Sequence, residues 1–493
     1  MDTASEGGQE DSSDEPGKLH ASPSQLPREP RTYDTDAEQV GSTAITKATV
    51  PLRFPLIGHT LQMSFPDPAS NPHQAMLRLC QAHGADSIRI DFGVFRNPML
   101  LLTQPTVVAS MLEADNVSFI KGPGYTAIHS VTPFHLLVTE DKTWQAGREE
   151  VERAIAAARE PKRFGLLLHN AQVLATNMLQ HDSANGTLPL RDHVREMAIT
   201  VISELVLGGP LPEDIVHALQ RVMSEWHYRV TDLIPGWKYG WRTRKVNSCL
   251  QLVRNYLREK VVRAREAGAA DTERDMCQPL LHLWLHLDDE RAVDMAFTLL
   301  AMGHENVSSA ISWTLGLFSK PENWDLQEEV AREVAELPQI LSPADLSGGS
   351  APALERAILE ALRLYPPIPM LSRQHKEGWQ GYEILLAPYV LHRLAWLFPQ
   401  PSAFLPQRWK DQAQIPALWD TAAQSGFIPF GHGPRRCPGR LFAVLEMKVV
   451  LACVLQTVKI QLARPNSLRE ALFVSLRPAE FNVHVEPRGD VRA

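Results

Sequence analysis

Cys437 lies in the run Phe430-Gly-His-Gly433-Pro-Arg435-Arg-Cys437-Pro-Gly439, just ahead of the apolar-rich segment 441–458. That order reads as a tight loop that presents one sulfur at the start of a helix. Outward-pointing backbone N–H groups and the helix dipole favour a thiolate there. The glycines let the backbone bend and approach a flat partner. A sulfur so placed suits a metal that takes one strong anionic ligand, and haem iron is a candidate. The competing reading is a buried, inert cysteine. A second chemical cluster, Met302-Gly303-His304-Glu305-Asn306-Val307-Ser308, sits inside a long apolar stretch. It puts an acid, Glu305, beside an amide, Asn306. An acid can move protons, and an amide can donate, accept and hold a water without ionising. Two further pairs share a helix face by spacing: Trp144 with Arg148, and Glu360 with Arg363.

These residues need helices to position them. Apolar and polar residues alternate at helical spacing over 143–157, 195–207 and 211–230, and 245–267 reads as a charged helix. The stretch 290–318 is long and apolar, so it is expected to be central and buried. Residues 353–365 read as a helix stopped by Pro366-Pro367. Strand signals are few: 87–91, 99–103 and 482–485. The expected fold class is mainly α with a small β region.

The cysteine loop matches the pattern Phe-x-x-Gly-x-Arg-x-Cys-x-Gly at Phe430, Gly433, Arg435, Cys437 and Gly439. It therefore resembles the cytochrome P450 family. Glu360-Ala-Leu-Arg363 is similar to the family's Glu-x-x-Arg pair, and Phe404-Leu-Pro406-Gln-Arg408-Trp409 to the segment before its cysteine loop. The resemblance covers roughly residues 49 to 485 and implies the cytochrome P450 fold with haem b ligated by Cys437. It implies that Glu360, Arg363 and Arg408 hold the fold around the haem. Trp144, Arg148, Arg373 and Arg435 are then implied as haem propionate donors, with Phe430 and Gly439 as further cofactor contacts. Glu305 and Asn306 fall on the segment that crosses the oxygen side of the haem, and are the implied catalytic pair. Asn306 stands where a threonine is usual, and Met302 where alanine or glycine is usual. Asn306 either orients water with Glu305 as the proton route, belongs to an enzyme that needs no relay, or caps a backbone carbonyl in a bulged helix. Met302 is read as packing. His304 and His432 are read as having no role on the iron. Segments 119–137, 207–241, 368–371 and 477–481 are the implied substrate contacts.

Composition agrees with one large catalytic unit. The chain has 493 residues, 44% of them hydrophobic, and a formal net charge of −8, which does not suggest nucleic acid as a partner. Cysteines 80, 249, 277, 437 and 453 show neither a pairing framework nor zinc spacing, so a reducing compartment is expected. Residues 1–48 are rich in Asp, Glu, Ser, Gly and Pro and are expected to form a disordered polar tail, with 49–493 as the haem-thiolate catalytic domain. No run reaches the length of a membrane span. An intracellular protein is expected, cytoplasmic or peripheral on the endoplasmic reticulum. Val50 to Gly58 resembles the family's proline-rich entry. Arg436, Arg440 and Lys448 offer a basic face for an acidic electron donor. No dinucleotide-binding fingerprint is visible, so an NADPH-dependent flavoprotein reductase is the implied partner and a small organic molecule the implied substrate. Gly303-His-Glu-Asn306 resembles fungal secondary-metabolism members. Two alternatives stand beside the monooxygenase: a reductase-independent isomerase, dehydratase or coupling enzyme, and a haem protein without catalysis. The latter is motivated by the segment after Ile384, which is several residues shorter than the family pattern.

Overall fold

A computed structural model describes residues 35–40, 43–49, 71–84, 87–91, 97–115, 117–231, 240–267, 278–338, 340–346, 349–377, 381–410 and 425–489. The proline-rich entry, Cys277 and residues 1–34 of the expected tail lie outside the described residues. The fold is mainly helical with a small sheet region, as expected. Among the described residues no helix is long and apolar enough to cross a membrane.

The sheet has seven strands: β1 (Thr35–Val40), β2 (Thr43–Thr49), β3 (Ser87–Ile90), β4 (Met99–Leu102), β5 (Phe119–Lys121), β6 (Leu371–His375) and β7 (Glu383–Leu386). Their order is β1-β2-β3-β4-β7-β6-β5. Two strands thus fall within the segment expected to be a disordered tail. They pair antiparallel from Thr35 opposite Ala48 to Val40 opposite Thr43. Thr, Ile and Val in this stretch favour extended backbone, which the polar composition masks. β7 lies between β4 and β6, with Leu101 opposite Leu385 and Ser372 opposite Leu385 on its two sides. The short segment after Ile384 therefore completes the sheet. That answers the doubt about local folding that this segment raised.

The central helix, α9 (Asp289–Phe318), begins at Asp288, whose side chain accepts from Arg291 N–H. Asp289 and Glu290 in its first turn complement the dipole. Thirty residues make it about 45 Å long. Nearly every side chain from Ala292 on is buried, so it runs through the larger apolar core. Its main neighbour is α6 (Leu190–Leu207). A Cβ on Gly303 would fall 2.7 Å from Ile202 Cγ1, so glycine permits this close crossing. A second core packs the sheet on α1 (Pro72–His83) and α2 (Pro105–Glu113). Helices α4 (Asp141–Ala158), α7 (Glu213–Thr231), α8 (Gly240–Ala267) and α11 (Pro352–Leu364) cover the other stretches read as helical, except 211–212 and Tyr365, and α13 (Arg440–Thr457) follows the cysteine loop.

Candidate active site

The cysteine loop is held by its own backbone. Cys437 N–H donates to Phe430 O at 2.9 Å, and Arg436 N–H to Gly433 O at 3.1 Å. Gly431 and Gly433 have φ of 69° and 70°, which side chains of L-residues rarely adopt. A Cβ on Gly433 would fall 2.0 Å from the Leu112 carbonyl oxygen. This glycine therefore meets the end of α2 rather than a flat partner. Gly439, by contrast, faces the sulfur: its Cβ position lies 3.9 Å from Cys437 Sγ. Burial pushes the Cys437 thiol up, while the Gly439 backbone N–H and the charges of Arg148 and Arg440 pull it down. The expectation of a thiolate from the helix end alone is thus overridden by burial, and a cation on the sulfur is what would hold the anion.

The loop is tied to the fold through a buried network. Arg363 and Glu360 are fully buried, with Arg363 Nε donating to Oε2 at 2.9 Å and Nη2 to Oε1 at 2.8 Å. Arg408 Nε, Trp409 Nε1 and Leu405 N–H also donate to the Glu360 carboxylate, at 3.0, 2.9 and 2.9 Å. Arg363 Nη1 donates to the carbonyl of His392 at 2.8 Å. Burial drives His392 well below its ordinary range, so the ring is neutral. Its Nδ1 donates to Arg363 O at 3.1 Å and its Nε2 accepts from Ile428 N–H at 2.9 Å. Ile428 stands two residues before Phe430. A chain of hydrogen bonds therefore runs from the α11 ion pair to the cysteine loop.

Cys437 opens into a cavity of about 660 Å³ lined mostly by apolar side chains. The size and lining suit a bound organic group. Trp144, Arg148, Arg373, Phe430, Arg435, Gly439 and Asn306 also line it, so the structure brings these expected residues together. Arg435 lies over the Trp144 ring, 4.4 Å from its centroid, and pairs with Glu140. Arg148 Nη1 donates to Arg436 O at 2.6 Å, and its Nε to Glu152. Arg373 is committed in this structure to Asp115, donating from Nη2 at 2.7 Å and from Nε at 2.9 Å. Lys121 stands directly opposite Arg373 across the β5/β6 pair. Burial, with the charges of Arg373 and Arg435, pushes Lys121 well below the ordinary lysine range. Its Nζ lies 4.5 Å from the Tyr125 ring centroid. Lys121 was not legible as a neighbour of Arg373, because only the strand pairing brings it there. Arg373 on Asp115 and Arg435 on Glu140 sit here beside Lys121, while Arg148 pairs with Glu152. This donor set, with the one thiol in the cavity lining and apolar walls, fits a flat haem carrying two carboxylates.

On α9 the two expected catalytic residues part company. Asn306 faces the cavity, and its Oδ1 is buried with no partner among the described residues. The helix is continuous through it, so the bulged-helix reading does not hold. Glu305 is buried outside the cavity lining, where Ser475 Oγ and Arg477 Nη1 donate to its Oε1 at 3.0 and 3.4 Å. Adjacent helical positions point about 100° apart, which separates the pair. Met302 lines the cavity and packs on the core. His304 is buried, its Nδ1 donating to Leu300 O at 2.7 Å. His432 contacts Glu113 at 3.1 Å.

Two surface and substrate expectations change. Lys448 is buried, with its ammonium on Leu346 O and Glu355, so it is not part of a docking face; Arg436 is exposed. Parts of segments 119–137, 207–241 and 368–371 line the cavity, although 232–239 lie outside the described residues. Segment 477–481 does not line it; Leu472, Phe473 and Val474 do, because the turn between the strands Glu470–Leu472 and Leu476–Pro478 reaches in first.

The cytochrome P450 family model matches residues 49–484. Carotene epsilon-monooxygenase of Arabidopsis thaliana is 28% identical over 275 residues, half of each chain. Probable cytochrome P450 4aa1 of Drosophila melanogaster is 22% identical and covers 84% of each chain. Cyclooctatin synthase of Streptomyces melanosporofaciens is 23% identical over 92% of this chain and 98% of its own. With the family match spanning nearly all of the described fold and site, the chain belongs to the cytochrome P450 family of monooxygenases, whose haem iron takes a cysteine thiolate as its axial ligand.

Proposed function

We propose that this enzyme oxidises a small, apolar organic molecule of secondary metabolism, using O₂ and electrons from an NADPH-dependent flavoprotein reductase. The observation that carries the reading is one largely apolar cavity lined by both Cys437 and Asn306. Cys437 would supply the thiolate, and Trp144, Arg148, Lys121, Arg373 and Arg435 would hold the carboxylates of the haem, with Phe430 and Gly439 as further cofactor contacts. The bound haem supplies the redox chemistry. The walls exclude water and orient the substrate. Asn306, through its side-chain amide, orients a water at the cavity face of α9. Glu305 acts as a positioning residue, tying α9 to Ser475 and Arg477, and feeds protons only through groups behind the helix. The name of the Arabidopsis relative specifies a carotene, an apolar substrate, which supports the same class here. The Gly303-His-Glu-Asn306 run supports a place among fungal secondary-metabolism members. Arg436 is the exposed cation next to Cys437 on which a donor would dock, and the enzyme works in the cytoplasm or on the endoplasmic reticulum surface.

One observation favours a second reading. The residue facing the cavity at the usual hydroxyl position is an amide, and the neighbouring acid faces elsewhere. An isomerase or dehydratase needs no proton relay from α9 and no reductase. The test is product formation with NADPH, a flavoprotein reductase and isotopically labelled O₂. Label in the product, matched to NADPH consumed, is the expected result. Turnover in the absence of any electron donor, with no label, overturns it in favour of the second reading.

A further inference from the structure

The hairpin of the strands Glu470–Leu472 and Leu476–Pro478 has three residues in each strand. A two-stranded ribbon so short is not stable by itself, so its place is set by what holds its two legs. The first leg is held at Glu470, whose carboxylate accepts from His73 Nε2 at 2.9 Å, Gln74 Nε2 at 2.8 Å and the Tyr389 hydroxyl at 2.8 Å. The second leg is held by α9. Ser475 Oγ and Arg477 Nη1 donate to Glu305 Oε1 at 3.0 and 3.4 Å. Ser309 Oγ and Trp313 Nε1 both donate to Leu476 O, at 2.6 and 2.9 Å. Glu305, Ser309 and Trp313 recur every four residues and so form one stripe of α9. Met302, Asn306 and Ala310 form the neighbouring stripe, which lines the cavity.

Between the two legs the chain enters the cavity wall. Leu472, Phe473 and Val474 line the cavity, and all three are only partly buried. The Phe473 ring packs against His227 of α7, with 5.6 Å between ring centroids. The Arg477 guanidinium lies over the same ring, 4.2 Å from its centroid. Burial pulls Arg477 below its ordinary range, and Glu305 is the main charge opposing that. Arg477 therefore joins a carboxylate outside the cavity lining to an aromatic side chain within it. Without the carboxylate, the guanidinium loses its counter-charge and Phe473 loses the group that steadies its ring.

We propose that Glu305 is a specificity-determining residue that acts through Ser475 and Arg477. As a positioning residue it fixes where Phe473 stands in the wall, and so which apolar molecules fit the cavity. This rests on the haem-thiolate monooxygenase reading of the same cavity. The task asks Glu305 to accept hydrogen bonds, not to transfer a proton.

The test uses haem-loaded protein and nitrogen ligands of graded size: imidazole, 1-phenylimidazole and clotrimazole. Binding is followed by the shift of the haem absorption band. Imidazole is too small to need the hairpin and is the control. Wild type is expected to bind at least one aryl azole about tenfold or more tightly than imidazole, from apolar area buried against the wall. Phe473→Ala and Glu305→Ala are each expected to cut that preference by about tenfold, with imidazole binding unchanged. The double variant is expected to lose no more than Phe473→Ala alone, because the two residues act as one unit. Arg477→Met removes the link from the hairpin side and is expected to repeat the Glu305→Ala result, which keeps the test decisive where Glu305→Ala fails to hold haem. Glu305→Gln is expected to keep the wild-type preference, since its side-chain oxygen accepts the same two hydrogen bonds. An unchanged preference in Glu305→Ala or Arg477→Met overturns the proposal. So does a Glu305→Ala loss that persists in full on the Phe473→Ala background, a Glu305→Gln loss as deep as that of Glu305→Ala, or a wild type with no preference for either aryl azole. The carbon monoxide spectrum of the same reduced samples separates these failures from failure of the haem-thiolate reading.

Discussion

Replacing Glu360 by alanine removes the acceptor on which five donors converge. Arg363 is fully buried and keeps only carbonyl partners, those of His392, Pro401 and Ala403. Breaking a buried ion pair from one side costs about 3–5 kcal/mol. The Leu405 N–H and Trp409 Nε1–H are left unpaired as well, at about 1–3 kcal/mol each when buried. These terms share partners and do not simply add. A loss of at least about 5 kcal/mol is expected, comparable to the whole margin of many domains. The damage should also reach the haem, because the Arg363–His392–Ile428 chain ends at the cysteine loop. Urea unfolding followed by circular dichroism, with haem content measured on the same samples, reads both effects. Glu360→Met with Arg363→Met is expected to recover part of the stability, since no unpaired guanidinium remains. A loss below about 1 kcal/mol for Glu360→Ala, with haem retained, would refute the claim that this network supports the site.

Gly433→Ala forces a Cβ to within 2.0 Å of the Leu112 carbonyl oxygen at a positive φ. It should lower the thermal midpoint and the haem content together, and a normal haem content would place the loop elsewhere. Glu446 is a buried carboxyl whose pKa burial raises from 4.5 to about 8. The folded state therefore binds one proton more than the unfolded chain between these values, so stability is greatest below about 4.5 as far as this group is concerned and falls as pH rises toward 8. The expected slope is about 1.4 kcal/mol per pH unit in that window. Glu446→Gln should flatten it in urea titrations across the range, and an unchanged slope excludes the group. Asn306→Val is expected to lower product formed per NADPH consumed by about tenfold while the haem spectrum stays intact. Unchanged coupling would remove Asn306 from proton handling.

The helices were legible because their signals are local. The long apolar run from 290 to 318 and Pro366 as stop place α9 and α11 to within a few residues. The cysteine loop was legible because its glycines, arginine and thiol fall in one short run. What depended on tertiary pairing was not legible. Lys121 joins Arg373 only because β5 and β6 pair in that register. Glu305 and Asn306 read as one catalytic pair in the sequence, yet the turn of the helix sends them to different neighbours. Lys448 reads as surface charge, but α13 turns it inward onto Glu355. The β1/β2 hairpin was hidden by polar composition, since β-branched threonines pair as well as they solvate.

The central claim is that Cys437 is the thiolate on the haem iron. It is tested most directly by the absorption spectrum of the reduced, carbon monoxide-treated protein. Wild type is expected to show the strongly shifted Soret band that marks thiolate ligation, and Cys437→Ala is expected to bind haem without that band. Haem bound in full amount to wild type with no such band, or a band that persists in Cys437→Ala, contradicts the account.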